Sequence, residues 1–369
     1  MRSSISLLLF GLTALVQANN IQYTGTDCNP TEKDCPPDPA LGTHHTWDFN
    51  TTLDTDIWRM ETGEIEYTSE GADFSIKAEN TSTLLVSNFY IFFGVVEAHV
   101  KMAKGPGIIS SVVLQSDDLD EIDWEWVGYN TSEVQSNFFG KGNTTTTDRG
   151  GYHGVANADT EWHNYTTYWD KDRLEWWIDN EKVRTVQYSE KSTLFGRNYP
   201  QTPCQVKMSN WPVGIKGQLQ GNIEWGGGLV DWSDVPFTMS VKHVRVQDFA
   251  TGKEYSYKDR SGSYESIEIL GGNSTAQIVL DKKPSKSLHE KWNDLGRGAH
   301  IGVYIGAAVA GLLLIAGALF YCLKQRKNGR LQRALDDGQY NAELTTLEES
   351  KMRWRQSELR TKGAYQPVP

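Results

Sequence analysis

Between about residues 46 and 248 the sequence is made of short apolar runs that alternate with period two, each broken by Gly, Asn or Asp. One such run is Tyr90-Ile91-Phe92-Phe93-Gly94-Val95-Val96-Glu97-Ala98-His99-Val100, and residues 164–169, 174–178 and 241–246 follow the same rule. Alternation rich in Val, Phe, Trp, Tyr and Thr specifies strands, because successive side chains leave opposite faces of a pleated backbone. Helical periodicity is not sustained anywhere in the region. Many short strands with regular turn signals predict an all-β fold, a two-sheet sandwich or jelly roll.

The flanks carry different signals. Arg2, the short apolar stretch 5–16 and Val16-Gln17-Ala18 read as an export signal over residues 1–18, since the run is too short to span a bilayer. An oxidising compartment follows, and Cys28 and Cys35, flanking a Pro-containing turn, are expected to pair into a small loop. Cys204 has no evident mate and reads as a buried thiol. Six N-x-Ser/Thr sequons begin at Asn50, Asn80, Asn130, Asn143, Asn164 and Asn273, all before a second apolar segment, as in a glycosylated ectodomain.

That second segment, residues 301–323, is free of charge and long enough to cross a bilayer as a helix. Lys324, Arg326, Lys327 and Arg330 follow at once, so the orientation rule places residues 324–369 in the cytoplasm. A lipid-anchor signal is the competing reading, but its apolar tail would end the chain, and here a polar segment continues. Residues 262–300, rich in Ser, Gly, Lys and Glu, read as a stalk, which leaves 19–261 as the ectodomain proper. Cys322, at the inner membrane edge, is a weak acylation candidate. The formal net charge of -11 argues against nucleic acid, which needs clustered Lys and Arg.

The chemistry is concentrated in Asp120-Glu121-Ile122-Asp123-Trp124-Glu125-Trp126. In a strand Glu121, Asp123 and Glu125 share one face, and Ile122, Trp124 and Trp126 share the other, where they can enter the core. Three carboxylates on one face repel one another, an arrangement tolerated mainly where the resulting spread of pKa values is used. Cleaving a glycosidic bond is such a use: it needs one ionised carboxylate and one protonated carboxyl. A solvated acidic strand and a calcium site are the alternatives. Calcium ligands, however, come mostly from Asn/Asp/Gly loops and not from a strand with intervening Trp. Four residues of strand separate the two glutamate α-carbons by roughly 13 Å. A retaining pair needs carboxyls ~5–5.5 Å apart, so the side chains must lean together.

Asp-Glu-Ile-Asp-Trp-Glu resembles the D-E-x-D-x-E signature of glycoside hydrolase family 16, whose members share a concanavalin-like β-jelly-roll sandwich with a substrate cleft. Glu161-Trp162-His163-Asn164-Tyr165 through Asp179, and the stretches from Thr202-Pro203-Cys204 to Trp211 and from Gly227 to Phe237, extend the likeness over roughly residues 40–250. Cys28-Asn29-Pro30 with Cys35-Pro36-Pro37, and Asn137-Phe138-Phe139-Gly140-Lys141-Gly142 with Asp148-Arg149-Gly150, are similar to the fungal Crh-type cell-wall transglycosylases. The resemblance implies cleavage of a chitin (β-1,4-GlcNAc) donor and transfer to β-glucan or chitin acceptors, with some hydrolysis and no cofactor or metal. It also implies roles: Glu121 as nucleophile, Asp123 as its helper, Glu125 as the acid that then becomes the base.

Sugar contacts are expected from the later strands. Lys207, Ser209 and Trp211 alternate onto one face; Trp211 could stack on a donor ring and Lys207 could hydrogen-bond hydroxyls. Asn222 matches a family position that usually carries Thr. Trp176, Trp177, Phe92 and Phe93 read as core, and His153 and His163 as structural. An endo-β-glucan hydrolase on the same fold and a sugar-binding receptor without chemistry remain as alternatives, since fold does not fix function.

Overall fold

The computed structural model describes residues 26–145, 149–282 and 297–362, the last with backbone alone at 297–309 and 358–362. The export signal 1–18 and Asp148 lie outside the described residues. The chain divides into two units, Met1–Lys283 and Pro284–Pro369.

The first unit is a sandwich of antiparallel sheets. One sheet has seven strands in the order Gly151–Gly154, Glu133–Phe139, Glu121–Val127, Ile108–Ser116, Cys204–Pro212, Thr83–Ile91 and Trp58–Thr62. The other runs Glu181–Gln187, Arg173–Ile178, His163–Trp169, Gly94–Lys101, Phe237–Asp248, Ala72–Ile76 and Ile65–Tyr67, with His44–Asp48 also paired to Phe237–Asp248. Between them lies a core that includes Trp58, Phe74, Phe89, Trp124, Trp126, Phe138, Tyr165, Trp169 and Trp176. Trp58, Trp47 and Phe89 meet at ring-centroid distances of 5.4–5.6 Å, where aromatic pairs are favourable.

The two sheets differ in a way that locates the site. Gly94–Lys101 alternates buried and half-buried residues, one face in the core and one toward solvent. Ile108–Ser116 and Cys204–Pro212 are buried at every position, although half their side chains point away from the core. Something covers the outer face of the seven-stranded sheet, and the polar residues placed there (Ser111, Gln115, Lys207, Ser209) show that the cover is not core.

The disulfide Cys28–Cys35 is formed, with α-carbons 5.8 Å apart, and Cys204 is a buried free thiol whose pKa burial pushes up. Asn50, Asn80 and Asn273 are exposed, and Asn130, Asn143 and Asn164 are half-buried, so no sequon is enclosed.

Two boundaries need correction. Residues 262–282, read as the start of a stalk, belong to the folded unit. Ile267–Leu270 pairs with Glu254–Tyr257, which pairs with Asp38–Pro39 in a three-stranded sheet. The helix Thr275–Asp281 is capped by Ser274, whose hydroxyl accepts from the Gln277 amide at 2.9 Å and donates to the Leu41 carbonyl at 2.7 Å. Composition misled here because a few apolar residues, Ile267 and Ala276 among them, suffice to anchor a polar stretch.

In the second unit, residues 301–323 fall within one helix, Arg297–Lys362. The described part of the tail, residues 324–362, continues that helix. Among the described residues no helix is long and apolar enough to cross a membrane, so the span expected at 301–323 is not shown by the structure.

Candidate active site

The acidic strand Glu121–Val127 behaves as its alternation requires. Ile122, Trp124 and Trp126 enter the core, at most 1% exposed, while Glu121, Asp123 and Glu125 stand on the other face. The strand is held from several sides. The Asp120 carboxylate accepts from the Lys141 amide at 2.9 Å, the Gln201 amide at 2.7 Å and the Thr202 hydroxyl at 2.8 Å, with the Lys141 ammonium at 3.3 Å. From the opposite sheet, Trp176 Nε1 donates to the Asp123 carbonyl at 3.1 Å.

Above the carboxylates lies a cleft of about 640 Å³, with Glu121 and Glu125 in its wall beside Gln115, Gln135, Asn137, Tyr152, Trp211 and Trp225. It continues past Glu125 into a second recess of about 490 Å³ bounded by Tyr129, Tyr152 and Trp225. The volume and polar–aromatic lining suit a sugar chain, whose ring faces stack on aromatics and whose hydroxyls need hydrogen-bond partners.

Register supplies each carboxylate with its neighbours. Glu121 stands between Gln115 and Phe139, Asp123 between Val113 and Asn137, and Glu125 between Ser111 and Gln135. Gln115 Nε2 donates to Glu121 Oε2, and Lys207 Nζ donates to Gln115 Oε1 at 2.6 Å. Among the described residues no N–H or hydroxyl donor reaches either oxygen of buried Asp123. The remaining partner for Asp123 is the Glu121 carboxyl, and two carboxyls can hydrogen-bond only when one carries a proton.

Electrostatics assigns that proton. Burial, then the charges of Glu121 and Glu125, hold the Asp123 pKa well above its ordinary value, so Asp123 is the neutral member and donates to Glu121. Burial also raises Glu121, but the hydrogen bonds from Asp123 and Gln115 and the nearby Lys207 charge oppose the rise. Glu125 has no such support: burial and the Glu121 charge push it up to about 8. The two glutamates are therefore unequal: Asp123, Gln115 and Lys207 all favour the carboxylate of Glu121, while nothing of that kind offsets the rise of Glu125 to about 8. An unequal pair is what glycosidic cleavage needs.

The predicted sugar-contact residues separate. Trp211 and Asn222 line the cleft, Asn222 from the short helix Gln220–Trp225. Trp211 packs with Ile109 and Val213 into an apolar floor, 6.5 Å from the Trp225 ring. Lys207 is on the same sheet face but buried, its ammonium directed at Gln115 beside a separate cavity of about 200 Å³. Gln115, Asn137 and Trp225 were not singled out by the sequence. Gln115 could have been found by pairing Ile108–Ser116 with Glu121–Val127 across their turn; Trp225, on an inserted helix, carried no signal. His153 bonds Ser136, and His163 bonds Asp179 and the Ala156 carbonyl, both structural roles. Trp176 is core, whereas Trp177 is half-buried with its Nε1 on Glu175.

A jelly-roll sandwich bearing two unequally supported glutamates in the wall of a polar–aromatic cleft has the makings of a carbohydrate-cleaving enzyme. Residues 53–227 match the family described as glycosyl hydrolases family 16. The chain is 59% identical over 345 residues to Crh-like protein 3 of Aspergillus fumigatus, covering 94% of each. It is 46% identical to Crh-like protein 2 of Botryotinia fuckeliana, over 89% of this chain and 73% of that one. A solved Crh5 transglycosylase in complex with NAG superposes with a TM-score of 0.64 at 43% identity, over 66% of this chain and 99% of that one. The chain belongs to the Crh-like proteins of glycosyl hydrolase family 16, the fungal cell-wall transglycosylases.

Proposed function

We propose that the protein cleaves chitin with retention at the anomeric carbon and transfers the released chain to a β-glucan or chitin acceptor, with some hydrolysis, outside the cell. In the first step Glu121 attacks the anomeric carbon while Glu125 gives its proton to the departing glycosidic oxygen. The C–O bond breaks and a glycosyl ester forms on Glu121. In the second step Glu125, now a carboxylate, takes the proton from an acceptor hydroxyl. That oxygen displaces Glu121, which leaves as a carboxylate. Transfer prevails over hydrolysis where the acceptor is held in place and so outcompetes water by proximity.

The observation that carries the reading is the placement of Glu121 and Glu125 on one strand face in the wall of the cleft, with the Gln115 amide bonded to Glu121. The donor reading is supported by the similar Crh5 transglycosylase, which was solved in complex with NAG. In this scheme Trp211 stacks on a donor ring and Asn222 bonds its hydroxyls. Residues 301–323 anchor the enzyme in the membrane after removal of 1–18, and the six sequons carry glycans. The test is transfer from a chitin oligosaccharide to a labelled β-glucan oligosaccharide: Glu121→Gln is expected to abolish it. Full residual transfer by that variant refutes the assignment.

A further inference from the structure

Lys207 was expected to reach a sugar hydroxyl, and its surroundings assign it a different task. A lysine ammonium can only donate hydrogen bonds, so the atom of Gln115 that meets it, at 2.6 Å, must be the carbonyl oxygen. That fixes the amide, and its NH2 must then face Glu121, as it does. An NH2 group in turn requires an acceptor, which the Glu121 oxygen supplies, and the bond is stronger when that carboxyl is charged. On the other side Asp123, buried and reached by no other donor among the described residues, completes the line by giving its own proton to Glu121. The polarity of the row is thus set from end to end: lysine to amide, amide to carboxylate, and protonated aspartic acid back to the same carboxylate.

Resting on the transglycosylase reading above, we propose that Lys207 is a positioning residue for the nucleophile, acting through Gln115 to hold Glu121 ionised and aimed, and is not a sugar ligand. Without the cation the Gln115 amide can turn over and present its oxygen to Glu121, which loses a donor and meets a repulsive dipole. The ammonium also favours the carboxylate directly through a low-dielectric interior. The charged and titratable groups that face Glu121 are Asp123 and Glu125 on its own strand and Lys207 from Cys204–Pro212; those facing Lys207 add Arg59, Glu61 and Asp117. Lys207 sits where the pairing of Cys204–Pro212 with Thr83–Ile91 slips register between Gln205 and Lys207, a bulge of the kind that re-aims a side chain.

The test compares Lys207→Met, which keeps the apolar stem, with Gln115→Leu and the double variant in the full chain. The readout is kcat/KM and KM for a chitin oligosaccharide donor across pH. The acid limb, which reports ionisation of Glu121, is expected to move toward neutrality in both single variants. The rate on that limb should fall about tenfold, with donor KM and the alkaline limb unchanged. The double variant should be less impaired than the product of the two single effects, because Lys207 works mainly through that amide and only its direct charge effect remains to be lost. A raised donor KM with the acid limb in place would make Lys207 a sugar contact and overturn the proposal, as would multiplying effects in the double variant. Should Lys207→Met fail to fold, the pH dependence of Glu121 labelling by an epoxyalkyl chito-oligosaccharide in Gln115→Leu decides instead; an unmoved acid limb there also overturns it. Failure of the transglycosylase reading looks different: the unsubstituted chain lacks donor turnover, or Glu121→Gln retains it, and both proposals fall together. Failure of the relay alone leaves turnover and its dependence on Glu121 intact.

Discussion

The acidic face that makes the chemistry costs stability, and Glu125→Gln should reveal how much. In the folded chain burial and the Glu121 charge push Glu125 from 4.5 up to about 8. The native state therefore holds a proton that the unfolded chain releases above pH 4.5. Stability from this group is fully present below 4.5, declines as pH rises, and is lost once pH passes about 8. At 1.36 kcal/mol per pH unit the span from 4.5 to 8 amounts to roughly 5 kcal/mol as an upper bound. Relaxation and water entry in an open cleft reduce it to about 2–3 kcal/mol. Glutamine mimics the protonated acid at every pH and so removes the dependence. Thermal melts of the purified protein and Glu125→Gln at pH 5 and pH 8.5 check this. The two should melt together at pH 5, and at pH 8.5 the variant should be higher by roughly 5 °C or more, at ~2–4 °C per kcal/mol for a domain of this size. Inactivity with raised stability is the expected combination. A gap that fails to widen with pH, or a variant that melts lower at pH 8.5, refutes the view that Glu125 is held neutral by its surroundings.

Two further outcomes follow from the same geometry. Because Glu125 must carry a proton in the first step, kcat/KM for the donor should fall about tenfold per pH unit above about 8, and a profile flat to pH 9 would remove Glu125 from the acid role. Trp176→Phe deletes the 3.1 Å bond to the Asp123 carbonyl and leaves space in the core, which should cost about 2–3 kcal/mol in urea unfolding and lower kcat more than it alters KM; a neutral effect would show that the acidic strand is not tethered there.

Much of the site was legible in the sequence because it lies on one strand. Period-two alternation put Glu121, Asp123 and Glu125 on one face and Trp124 and Trp126 on the other before any pairing was known, and that face is where the cleft opens. The flanks were less readable. Ser and Gly at 262–282 suggested a linker, yet Ile267 and Ala276 are enough to tie that stretch to the sandwich. The tryptophans divide between two places: Trp211 and Trp225 line the cleft, whereas Trp58, Trp124, Trp126, Trp169 and Trp176 fill the interior.

What the strand alone could not supply is the difference between its two glutamates. In sequence they are equivalent, two carboxylates each two residues from an aspartate, and repulsion by itself says only that one of them keeps a proton. The choice is made by the neighbouring strands. Gln115 comes from the next strand and Lys207 from the one beyond, and both fall beside Glu121 because of register. Glu125, flanked by Ser111 and Gln135, receives no donor of that kind and keeps its proton. A single segment of chain carries the three carboxylates, and pairing across the sheet gives each of them different neighbours. Moving Gln115 by one residue in register would turn it to the core face and leave the nucleophile as undirected as its partner.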